Sequence, residues 1–322
     1  MNVGAKLRKF PLVGDILVVL LLFFLAQVAV MTVLPFFGVV APTVSAIDTV
    51  PIDEYMAGQE SLAKYCLILY TATMLVPLLL MWIYLRLRGG KGSIRIRCSI
   101  AGFNPSVILI GVLWLLSSQV VLEPLVLMLP ARQTPGLGLG VWAYITTIGI
   151  APLLEEILCR GVLYESFRNR WGIKVSILLS ALFFGLIHFD LATAVVATMA
   201  GLIFGVLYVR TSSIFASMIV HAINNALAFA LVVVGKENTS LREMIGDDKI
   251  YYIVYGVAAF IFVVAWVEAL FKLRAKRLEL KAEKEAAAAA EAELETTEET
   301  EESAELAGDE FVNEEFDEES ND

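Results

Sequence analysis

Apolar residues in this 322-residue chain fall in long uninterrupted runs. Between successive Asp, Glu, Lys and Arg residues, seven stretches are long: 16–47, 65–85, 98–122, 133–154, 191–209, 211–235 and 250–267. They contain 32, 21, 25, 22, 19, 25 and 18 residues. A hydrocarbon core ~30 Å thick takes about 20 residues of helix to cross, so each run predicts a membrane-spanning helix. An eighth run, 175–189, has 15 residues and is the weakest by length. Counting it gives an all-α polytopic membrane protein of about eight helices, with a core bundle around a membrane-embedded cavity. The first run exceeds the roughly 7–15 apolar residues of a secretory signal and reads as an anchor that is kept.

The loops support that count. Basic residues cluster at Lys6, Arg8 and Lys9; at Arg86, Arg88, Lys91, Arg95 and Arg97; at Arg168, Arg170 and Lys174; at Arg210; and at Lys272, Arg274, Lys276 and Arg277. The segments between them, 41–62, 123–140 and 236–249, are acidic, nearly uncharged or mixed. With eight helices all five basic clusters share one side, which places both termini in the cytoplasm.

Composition adds a boundary. Hydrophobic residues make up 58% of the chain and charged residues 18%, too little charge for a soluble surface. The net charge of −10 belongs to the tail, because residues 279–322 alone carry 19 acidic and 2 basic side chains. Four segments follow: spanning helices 1–137, a core with the last span at 138–272, a helical extension 273–295, and an acidic stretch 296–322. The extension is built from strong helix formers. The stretch from about Thr296 lacks core-forming content and predicts disorder; it solubilises the chain or docks a basic partner. A lipid bilayer surrounds the rest, and no nucleic-acid partner is expected. Cys66, Cys98 and Cys159 are too few and too dispersed for a disulfide framework. Gly201 and Gly205, spaced as GxxxG, predict close helix packing.

Candidate chemistry lies inside the apolar runs, where an ionisable group is costly and marks a functional site by default. The chain has only two histidines, His188 and His221, and both fall in such runs. The run ending in LLEEILCRG carries Glu155, Glu156 and Arg160. Residues four apart share a helical face, so Glu156 is placed to pair with Arg160. Glu155 points about 100° away and stays free to face a cavity. Pro152 is expected to kink that helix or open a backbone carbonyl. By the same spacing, Phe184 stacks beneath His188, and His221 shares a face with Asn225.

The ordered set EExxxR, FxxxH and HxxxN, spread over 155–225, resembles the CPBP/Abi family of intramembrane proteases. That family includes Rce1-type CAAX prenyl endopeptidases and bacterial Abi proteins linked to bacteriocin immunity. The resemblance covers roughly 140–235. It implies an endopeptidase acting on a membrane-associated peptide or protein, possible prenylation of the substrate included. Glu155 would activate a water, His188 would help hold it, and His221 with Asn225 would form an oxyanion hole. Glu156, Arg160 and Phe184 would be structural or position the substrate. The favoured mechanism needs no cofactor. The residues also leave open a zinc site on Glu155, His188 and His221, a proton relay or transporter, and a non-catalytic scaffold.

Overall fold

The computed structural model describes residues 13–89, 96–99, 104–130, 136–236 and 238–318. The basic residues Lys6, Arg8, Lys9, Lys91, Arg95 and Arg132 lie outside the described residues. The chain divides into two units, Met1–Ala269 and Leu270–Asp322.

Helix α1, Val13–Val33, leads through a 3₁₀ turn, Leu34–Phe37, to the long helix α2, Ile52–Gly89. Their pairing has a polar clamp at one end. The buried Asp15 accepts from Tyr84 Oη at 2.7 Å and Arg88 Nε at 3.1 Å. Helix α3, Pro105–Val126, starts on an Asn104 cap, with proline at the first position where a missing N–H costs nothing. Helix α4 begins at Val141 and is irregular. It passes through two π segments, Ile145–Ile150 and Ile157–Tyr164, around the regular turn Ala151–Glu156. It continues into Glu165–Leu186, which breaks at Gly172 (φ 76°). We name the part up to this break α4 and the part 173–186 α5. Helices α6, Leu191–Thr211, and α7, Ile214–Val233, complete the core. A one-turn helix α8, Leu241–Ile245, precedes helix α9, Asp248–Glu318.

Among the described residues, seven helices are long and apolar enough to cross a membrane: Val13–Phe37, Ile52–Arg88, Pro105–Val126, Val141–Arg168, Leu191–Thr211, Ile214–Val233 and Asp248–Glu279. The eighth run forms the shorter α5, about 20 Å long at ~1.5 Å per residue. Large apolar side chains such as Leu17, Leu21, Phe24, Leu79 and Val257 face outward, which suits lipid and would not suit water. The chain is an integral membrane protein.

Helices α5 and α6 form an antiparallel hairpin whose contact line is made of small residues. A methyl group on Gly205 would come 3.0 Å from Ile177 Cγ2, and one on Gly201 would come 3.0 Å from the Ala181 Cα. One on Gly185 would collide with Thr198 Oγ1 and the Ala194 carbonyl, at 2.0 and 2.6 Å. The GxxxG expectation is met, and Gly185 extends it on the facing helix. The hairpin turns at His188–Asp190, where Phe189 has φ 55° and Asp190 caps α6 through the Thr193 N–H at 2.8 Å.

Composition predicts disorder from about Thr296, but the structure carries α9 to Glu318. The tail is rich in Glu and Ala, has no proline and contains a single glycine. A solvated helix needs good formers and no core. Within the second unit Lys276–Glu279 at 2.7 Å and Lys281–Glu285 at 3.3 Å pair along the helix, each worth a few tenths of a kcal/mol, ~0.3.

Candidate active site

The site assembles where α2, α4 and α7 meet. The meeting point depends on a glycine. Gly138 (φ 76°) lies so close to α2 that a methyl group there would sit 2.4 Å from the Gln59 carbonyl and 2.7 Å from the Ala63 nitrogen. Ala63, Ala143 and Phe229 then pack with no appreciable exposure. Tyr70 lies two turns along α2 from Ala63 and on the same face. This register brings it to Glu155.

Glu155 is buried. Its Oε1 accepts from Tyr70 Oη at 2.5 Å, and its Oε2 lies 3.4 Å from His221 Nε2. The other imidazole nitrogen, Nδ1, lies 3.2 Å from Glu156 Oε1. His221 therefore bridges the two adjacent carboxylates. The pairing expected for Glu156 is present and wholly buried, with Arg160 Nη1 at 2.8 Å. Arg160 Nη2 also donates to the Gly201 carbonyl at 2.6 Å, and its guanidinium packs on the rings of Phe184 and Phe204 at 5.3 and 5.4 Å. Phe204 stacks on His221 at 4.8 Å, and Phe184 meets His221 edge-on at 5.5 Å. Such a buried ion pair holds its geometry firmly, because loss of one partner strands a charge in an apolar interior.

Asn225 is fixed by a consequence of Pro152. The Ala151 N–H bonds five residues back, to the Thr146 carbonyl. Proline has no N–H to give. The Thr147 carbonyl is thus left without a helical donor, and Asn225 Nδ2 fills it at 3.0 Å. The Asn225 Oδ1 accepts from Asn224 Nδ2 at 3.3 Å, and Asn224 Oδ1 accepts from Gln119 Nε2 of α3 at 2.5 Å. The amide is oriented at both ends, with one N–H still unassigned.

His188 is placed differently. It is half-buried at the hairpin turn. Its Nδ1 lies 2.7 Å from the Phe184 carbonyl, and its ring meets the Phe184 ring edge-on at 5.1 Å. A carbonyl only accepts, so Nδ1 carries the proton and Nε2 presents its lone pair. No hydrogen bond or ion pair joins His188 to Glu155 or His221. Phe184 is the element the two imidazoles share.

Glu155, Glu156, Arg160, Phe184 and His221 thus form one contiguous cluster, with Asn225 one turn further along α7. The π segments and the continuation of α4 past Arg160 explain how. Glu155 becomes a mid-helix residue at the depth of His221 rather than an interfacial one. The sequence reading missed Tyr70, Gln119 and Phe204. Gln119 left a signal, being a polar residue inside an apolar run. Tyr70 and Phe204 left none, since aromatic residues are ordinary in such runs.

The His₂Glu metal alternative meets a geometric obstacle. Among the described residues no three His, Cys, Asp or Glu side chains group around a common point. His221 directs its two nitrogens to different carboxylates, Nε2 to Glu155 and Nδ1 to Glu156, and His188 Nδ1 is bonded to the Phe184 carbonyl. Cys159, next to Arg160 in sequence, is a fully buried free thiol.

This cluster falls within the part of the chain that is similar to known proteins. Residues 137–227 match a family described as Type II CAAX prenyl endopeptidase Rce1-like. Over 76 residues the chain is 30% identical to "Putative membrane peptidase YdiL" of Bacillus subtilis (strain 168). That stretch is 24% of this chain and 31% of the relative, so the chain spans about a third of the length of the curated relative it matches. No solved structure matches. Glu155, His188, His221 and Asn225 lie within the segment that is similar to the Rce1-like family.

Proposed function

We propose that the protein is a membrane-embedded endopeptidase that hydrolyses a peptide bond of a membrane-associated substrate through a water activated by Glu155. The observation that carries the reading is the buried Glu155–His221 contact at 3.4 Å, made between two apolar helices. Keeping a carboxylate and an imidazole there is costly unless chemistry repays it.

In this reading Glu155 removes a proton from the attacking water, and His221 balances the change of charge on Glu155. Glu156 and Arg160 hold His221 in place from its far side. The spare N–H of Asn225 donates to the oxyanion of the tetrahedral intermediate. This departs from the motif resemblance, which gives His221 an oxyanion role, because both its nitrogens already face carboxylates. The free Nε2 of His188 accepts from the attacking water as substrate enters beside Phe184. The donor arrangement favours this metal-free route over zinc. The basic clusters favour cytoplasmic termini and a cleavage site reached from that side. A prenylated CAAX-type protein is the substrate class that the Rce1-like match supports best.

The test compares membrane-protein N- and C-termini, quantitatively, in cells expressing the wild-type chain or Glu155→Ala at equal abundance. Termini that vanish with Glu155→Ala identify the substrates, and a C-terminal tripeptide missing after a prenylated cysteine supports the CAAX class. Identical sets of termini in the two strains would leave a non-catalytic scaffold as the better reading.

A further inference from the structure

We infer that Tyr70 is the positioning residue of the Glu155 base, so the site is completed by a helix outside the Rce1-like segment. The inference rests on the endopeptidase reading above and assigns a part of its machinery to α2.

The geometry distinguishes the two carboxylate oxygens. Oε1 is occupied by the Tyr70 hydroxyl at 2.5 Å, whereas Oε2 faces His221 at 3.4 Å. A carboxylate held only by His221 could rotate about its last torsion and present either oxygen to a water. With Tyr70 bound, Oε1 is committed, and Oε2 is the oxygen left beside the imidazole. A tyrosine hydroxyl donates to an anion more strongly than to a neutral acceptor.

Tyr70 is not placed there by chance contact of a loose helix. Helix α2 is pinned on one side of it by the close approach of Gly138 to Gln59 and Ala63. Beyond it, α2 is pinned by the Tyr84 and Arg88 bonds to Asp15 of α1. The residue lies well before the matched segment, which begins at 137. Among the described residues of α2, Tyr70 is the one whose side chain hydrogen-bonds an α4 carboxylate.

The experiment uses the full chain in membranes, with Tyr70→Phe as the variant, because the ring and its packing are kept. Tyr65→Phe on the same helix is the control. The first readout is the infrared carboxylate band of Glu155, assigned by its loss in Glu155→Gln. The inference expects that band to move in Tyr70→Phe and to stay in Tyr65→Phe; an unmoved band overturns it. The second readout is the rate at which Glu155-dependent termini appear after induction in cells. Tyr70→Phe is expected to slow it by roughly tenfold or more at unchanged protein abundance and melting temperature. Cleavage at the wild-type rate also overturns the inference while leaving the endopeptidase reading intact. Absence of any Glu155-dependent termini removes the endopeptidase reading, and the infrared band still decides whether Tyr70 holds the carboxylate.

Discussion

The two histidines occupy unlike surroundings. His221 is buried and held from three other helices: by Glu155 and Glu156 of α4, by Phe204 of α6 and by Phe184 of α5. His188 is half-buried at a turn and is held by the carbonyl and ring of Phe184, in the helix just before it. One is locked into the packing between helices. The other is free of the architecture, with a lone pair available at the edge of the cluster. In the proposed mechanism Glu155 is the base, His221 holds it in place, and His188 is the group that substrate can reach.

The sharpest way to break this contrast is to remove each imidazole. Glu155→Gln and His221→Gln are each expected to abolish the dependent cleavage, a loss of about 10³-fold or more. His221→Gln should also lower the melting temperature of the detergent-solubilised protein, since two carboxylates lose a partner. His188→Gln should cost activity while leaving the melting temperature where it was. Equal thermal effects of the two substitutions would erase the distinction.

Arg160→Met probes the buried side of His221. It strands Glu156, which is completely inaccessible, and is expected to destabilise the fold by about 3–5 kcal/mol. Pairing it with Glu156→Leu should recover much of that stability, measured by thermal or denaturant unfolding. Gly185→Ala probes the His188 side. The new methyl group meets backbone of α6, so the hairpin must open, at about 1–3 kcal/mol. Because Gly185 precedes the turn, activity should fall with it, whereas Gly256→Ala, where the added group meets open space, should change neither. Gln119→Leu is expected to have the smallest effect, roughly tenfold or less in cleavage rate. It removes the Asn224 partner and loosens Asn225 without touching Glu155.

What the sequence revealed of this site follows the range of each interaction. Glu156–Arg160 and Phe184–His188 are four residues apart, and helical geometry alone brings them together. The small-residue packing of Gly201 and Gly205 is likewise local in pattern. The bond from Asn225 to the Thr147 carbonyl was half legible, because Pro152 announces an opened carbonyl but not its partner. The Glu155–His221 contact and the Tyr70 hydroxyl depend on how α2, α4 and α7 are set against each other. No periodicity encodes that, and π segments shift the phase of α4 besides. Run 175–189, the weakest of the eight by length, forms a helix short for a span that is held by glycine contacts with α6. The tail shows the opposite case: absence of apolar content argues against a core, while Glu and Ala sustain a helix without one.

The central claim is that Glu155, paired with His221 inside the bilayer, activates water for peptide hydrolysis. Its most direct measurement uses the purified full chain in lipid vesicles, incubated with the membrane-protein fraction of cells that lack it, with new termini counted by mass spectrometry. The account predicts new termini with the wild-type protein, none with Glu155→Gln, and incorporation of one ¹⁸O atom from labelled water at each new C-terminus. Termini produced equally by the wild-type and Glu155→Gln proteins would contradict it.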